Sequence, residues 1–164
     1  MNPIKKVLAP IDLSGDSLET VRFAADLARR YEASLTILHV YQTALHRLPE
    51  GQVFTAPAQP AVVGAAVERL AAAKTEALAA GAQVVETLLL PGGVSEAIVH
   101  VAAEQGYDLI VMGRHERRGC DRMLFGSLTE SVSRTAPCPL VSMRLTGNQT
   151  GVPRAAPVAH DTGA

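Results

Sequence analysis

Short apolar, β-branched runs alternate with longer stretches of helical periodicity along this chain. That alternation constrains the fold more than any other feature. Val7-Leu-Ala9 is a short apolar run after Ile4. From Asp16 to Tyr31, residues Val21, Ala24, Ala25, Ala28 and Tyr31 recur at helical spacing, with Asp16 and Glu19 set as an N-cap pair. Leu35 to Val40 is the second strand, and Ala61 to Ala80 is an alanine-rich helix that Gly81 stops. Gln83 to Leu90 is the third strand, closed by Pro91-Gly-Gly93. Val94 to Gln105 is helical, with Val94, Ala97, Ile98, Val101 and Ala102 on one face. Leu109 to Met112 is the fourth strand, Ser127 to Thr135 the fourth helix and Leu140 to Met143 the fifth strand. Ser127 and Glu130 have capping-box spacing. Strict alternation of this kind predicts one three-layer α/β domain, with a mostly parallel sheet, right-handed crossovers and helices on both faces.

Two segments fall outside the pattern. About twenty residues, 41–60, hold Pro49, Pro57 and Pro60 and read as a loop. Loops of this length are uncommon in compact domains and are often functional. From Leu145 onward Gly, Pro, Thr and Ala dominate, so the chain divides into a domain over 1–144 and a disordered tail over 145–164.

Composition excludes several classes of function. The 164 residues suit one domain with a real core. A net charge of -1 gives no general electrostatic attraction to nucleic acid or a membrane surface. Aromatic residues are 4% of the chain and Trp is absent, which argues against a base-stacking platform. No apolar run approaches the ~20 residues that span a bilayer. Cys120 and Cys138 form neither a CxxC pair nor a zinc spacing. Two lone thiols and no apolar leader, since Asp12 interrupts, lead to the expectation of a reduced, cytoplasmic protein.

The chemically unusual residues gather at strand ends. In open parallel sheets, ligands bind beyond the carboxyl ends of the strands, where the strand order reverses. Asp12 follows the first strand. Gly113 to Ser127 follows the fourth and carries Arg114, Arg117, Arg118 and Arg122 against Glu116 and Asp121. Gly126 permits close backbone approach, and Ser127 opens a helix whose free amides and dipole favour an anion. A capped helix beside a solvated charged loop explains the same residues without a ligand. His115 has no adjacent nucleophile and orienting carboxylate, so it reads as a solvated loop residue. His39 reads as a core histidine, Cys138 as structural and Cys120 as an exposed thiol. No catalytic set and no metal-ligand set emerges. Neither HExxH, Walker A nor GxSxG is present.

Several dispersed motifs, in order, resemble the universal stress protein family over roughly residues 4–144. They are Pro10-Ile-Asp12-Leu-Ser14, Leu38-His-Val40, Asp108-Leu-Ile-Val-Met-Gly113, Phe125-Gly-Ser127 and Ala136-Pro-Cys-Pro139. The resemblance implies a five-stranded α/β fold of order 3-2-1-4-5 and a homodimer, paired here through the fifth strand. Nucleotide-binding members carry Gly-x2-Gly-x9-Gly-[Ser/Thr]. Here Gly113, Gly126 and Ser127 match, and Glu116 stands where the second glycine would be. By that resemblance Asp12 meets the ribose and adenine side, and Pro10 and Val40 lie near the base. Met112 and Gly113 line the pocket, while Gly126, Ser127 and Leu128 hold phosphates of ATP or another adenine nucleotide. A carboxylate at 116 repels phosphate unless an arginine or Mg²⁺ intervenes. The expectation is therefore an adenine-nucleotide-binding regulatory module of the stress response. Two alternatives stay open: a chaperone-like or protein-interaction dimer with an empty cleft, and a slow ATPase or nucleotide-transfer enzyme.

Overall fold

A computed structural model describes residues 3–42, 45–47, 53–55, 58–114 and 127–145. Among the described residues, seven strands and four helices run in the order β1 (Lys6–Pro10), α1 (Ser17–Tyr31), β2 (Ser34–Tyr41), β3 (Leu45–Arg47), β4 (Val53–Thr55), α2 (Pro60–Ala79), β5 (Val85–Pro91), α3 (Val94–Glu104), β6 (Leu109–Arg114), α4 (Ser127–Thr135) and β7 (Leu140–Arg144). Five of the strands form one sheet in the order β5-β2-β1-β6-β7. Every pairing in it is parallel. With its strands numbered one to five along the chain, that order is 3-2-1-4-5.

Burial explains why the central strands look as they do. Val7, Leu8 and Ala9 of β1 are each 0% exposed. A strand covered on both faces carries no polar alternation. Successive side chains point to opposite faces. Val7, Ala9, Ile11, Leu35, Ile37 and Val111 pack under α1 and α2. Leu8, Leu38, Val40, Ile110 and Met112 pack with residues of α3 and α4. Each helix supplies its small or branched residues at helical spacing. In α1 these are Thr20, Val21, Ala24, Ala25 and Ala28, and in α3 they are Ile98, Val101 and Ala102.

Three local readings differ from the structure. Asp16 has helical φ/ψ of -76° and -14° and makes no side-chain cap bond to α1. The side chain that organises this turn is Asp12, described below. The segment 41–60 is not loop throughout, because β3 and β4 pair antiparallel within it, His46 opposite Phe54. Leu145, which the composition assigned to the tail, is 7% exposed. Its amide donates to the Arg114 carbonyl at 3.0 Å. The rest of the expected tail lies outside the described residues.

At the amino end of the sheet, Asp108 pins β1 beside β6. Its Oδ2 accepts the Lys5 amide at 2.8 Å and the Lys6 amide at 2.9 Å. This fixes the register that brings the two carboxyl ends level at the opposite edge.

Candidate functional site

The strand order reverses at β1, which pairs with β2 on one side and β6 on the other. Register then determines which residues meet. Leu8 is level with Ile110 and Pro10 with Leu38. Pro10, Val40 and Met112 share the alternation of Leu8, Leu38 and Ile110, which sets them on the α3/α4 side of three neighbouring strands. Val40 is 7% and Met112 3% exposed, so the floor they form is apolar. The chain leaves β6 at Arg114 and re-enters as α4 at Ser127. A helix that follows a parallel strand runs back along the sheet. The N-terminus of α4, with Ser127 and Leu128 exposed, therefore opens at the carboxyl end on this same face. Thr129 and Val132, at 3% and 0% exposure, anchor it to the core.

Asp12 lies just past β1 and is exposed. Its Oδ1 accepts the Ser14 amide at 2.9 Å and the Ser17 hydroxyl at 2.6 Å. Leu13, between Asp12 and Ser14, stands at φ 61°, a left-handed conformation that costs a leucine about 1 kcal/mol or more. Arg69 of α2 donates to the Leu13 carbonyl at 3.2 Å. His39 Nδ1 lies 2.9 Å from the Ile11 carbonyl. This accounts for His39 as a half-buried structural contact at the neck of the same loop.

Gly113 is glycine for a reason that the motif does not disclose. A Cβ there would overlap Thr20 Oγ1 of α1 and come within 2.9 Å of Leu145 Cδ1. The absent side chain leaves room for the protein's own helix. Ser142, level with Met112 in the β6–β7 ladder, has a buried hydroxyl with no hydrogen-bond partner among the described residues. Burial holds the Cys138 thiol above its ordinary pKa, with the Asp108 charge adding to it, so the thiolate is disfavoured there.

The structure thus brings together Pro10, Asp12, Val40, Met112, Gly113, Ser127 and Leu128 at one end of the sheet. Glu116 and Gly126, with His115, Arg117, Arg118, Cys120 and Arg122, lie outside the described residues, while Arg114 ends β6. Sequence reasoning passed over Ser17, Thr20 and Leu145. The Asp-x-Ser spacing of Asp12 and Ser14 is the signal that marks the turn. Nothing local marks the long-range packing on Gly113. A cavity of about 330 Å³ lies on the α1/α2 side of the Asp12 turn, lined by Leu13, Ser17, Leu18, Arg69 and Ala73 among others. Among the described residues, no group of three or more His, Cys, Asp or Glu is placed to hold a metal. No helix among them is long and apolar enough to cross a membrane.

The architecture defines an open-sheet α/β domain whose strand order reverses at β1. The sequence model of the Universal stress protein family matches residues 3–144. The universal stress protein YxiE of Bacillus subtilis is 31% identical over 148 residues, covering 85% of this chain and 98% of YxiE. This chain belongs to the universal stress protein family. Among solved structures, a universal stress protein in complex with cAMP superposes with a TM-score of 0.68 at 24% identity, over 88% of this chain and all of that one. The universal stress protein from Archaeoglobus fulgidus in complex with dAMP gives 0.63 at 22% identity, over 86% of this chain and 98% of its own. At these identities the likeness establishes the shared fold.

Proposed function

We propose that the protein binds an adenine nucleotide at the carboxyl ends of β1, β2 and β6, and that occupancy of this cleft is its regulatory output in the stress response. One observation carries the reading. Pro10, Val40 and Met112 make an apolar floor on the face where α4 begins, with Asp12 at its rim. The floor suits the base, the carboxylate suits ribose hydroxyls, and the amides of α4 near Ser127 and Leu128 suit phosphate. Solved family members hold cAMP and dAMP. The nucleotide is ATP or another adenine nucleotide, with Mg²⁺ beside Glu116 if the carboxylate is to face phosphate. The protein is a cytoplasmic binding module in this reading, and a homodimer through β7.

Calorimetric titration of ATP tests it. Wild type is expected to bind, and Asp12→Ala to weaken binding by about tenfold or more, through loss of hydrogen bonds to a charged group. Gly126→Val should abolish phosphate approach. Glu116→Gly should tighten binding, tenfold for about every 1.4 kcal/mol of repulsion removed. Wild type that binds no adenine nucleotide would return the protein to the other reading, an interaction or chaperone-like dimer with an empty cleft.

A further inference from the structure

Ser17 opens α1 and is 4% exposed, yet its hydroxyl reaches out to the exposed Asp12. The 2.6 Å contact to Oδ1 is in the short range of charge-assisted O–H···O⁻ bonds. Ser14 Oγ lies 3.2 Å from Ser17 Oγ. Ser17 has one hydroxyl proton, and the carboxylate takes it. Ser14 is therefore the donor in that second contact. A chain of hydroxyls runs from Ser14 through Ser17 to Asp12, while the Ser14 amide grips the same Oδ1 at 2.9 Å. Leu13 is held left-handed inside this ring, and Arg69 fastens its carbonyl from α2. A surface aspartate ordinarily loses rotamer freedom when it engages a ligand. Here the first residue of a packed helix has already fixed it.

We infer that Ser17 is a positioning residue, which presets the Asp12 carboxylate for the ribose hydroxyls of an adenine nucleotide. The inference rests on the nucleotide reading of the cleft. Preorganisation of this kind raises affinity by removing an ordering cost at the moment of binding. Its effect must be confined to ligands that carry ribose hydroxyls, and must act only through Asp12.

The test is a double-mutant cycle read by calorimetry, with ATP and 2′,3′-dideoxy-ATP as probes, on wild type, Ser17→Ala, Asp12→Ala and the double variant. Thermal unfolding confirms that each is folded. Wild type should prefer ATP, and Ser17→Ala should weaken ATP by about tenfold while leaving the dideoxy probe unchanged. In the Asp12→Ala background the Ser17→Ala change should have no further effect. If Ser17→Ala weakens both probes equally, or weakens ATP by the same factor without Asp12, Ser17 acts only on the fold and the inference fails. The nucleotide reading would survive that result. Equal wild-type affinity for the two probes overturns the ribose role and with it this inference, and leaves the cleft reading standing. Wild type that binds neither probe overturns both the cleft reading and this inference.

Discussion

Gly113 shows how one position serves packing and site together. It ends the buried part of β6, and its missing side chain admits Thr20 Oγ1 and Leu145 Cδ1. Gly113→Ala should therefore destabilise the fold by about 1 to 3 kcal/mol, the usual range for overpacking. Thr20→Ala in the same chain should recover part of the loss. Urea denaturation measures both, and a Gly113→Ala protein as stable as wild type would contradict the packing. Tyr107 gives a second handle. It is 7% exposed, and burial is the main cause that raises its phenol above 10.0, with the Glu86 charge adding and the Thr36 hydrogen bond opposing. A phenol harder to ionise in the fold gives stability that is complete below pH 10.0 and lost as pH rises through the raised value. Stability should fall more steeply above pH 10.0 in wild type than in Tyr107→Phe, as followed by chemical denaturation. Parallel slopes would contradict that environment.

At the scale of elements, helix and strand placement was legible because both periods are strong here. Alanines in α1 and α2 and branched residues in β1, β2 and β6 obey 3.6 and near-continuous apolar patterns. The exceptions share a cause. β3 and β4 span three residues each, too few for a period to register. The true organiser of the α1 turn is Asp12, four positions before the side chain that propensity favoured as cap. Among the described residues β7 is an outer strand with one edge unpaired, and Leu140, Val141, Ser142 and Met143 are half-buried in the single chain. An apolar edge is a template for pairing. The proposed homodimer uses it, and Val141→Pro would remove one backbone donor from that edge. Sedimentation equilibrium should give a wild-type dimer and a weakened one in Val141→Pro, once both are shown to be folded. A wild type monomeric at high micromolar concentration would rule out the pairing.

At the scale of the whole molecule, topology does what no single motif can. The register of three parallel strands carries Pro10, Val40 and Met112 to one face, and the return of the chain puts the start of α4 beside them. Spacing in sequence marked Asp12 and Gly113, but only the shared family pattern tied them to Val40 and Leu128. The cavity between α1 and α2 had no sequence signature, because its lining comes from Leu13, Arg69 and Ala73 on separate elements. These two faces offer the most direct test of where a nucleotide goes. In a backbone amide NMR titration with ATP, the cleft account predicts shifts concentrated at Asp12, Val40, Met112, Gly113, Ser127 and Leu128. Shifts at Leu18, Arg69 and Ala73 with none at Val40, Met112, Ser127 and Leu128 would place the ligand on the opposite face and contradict it.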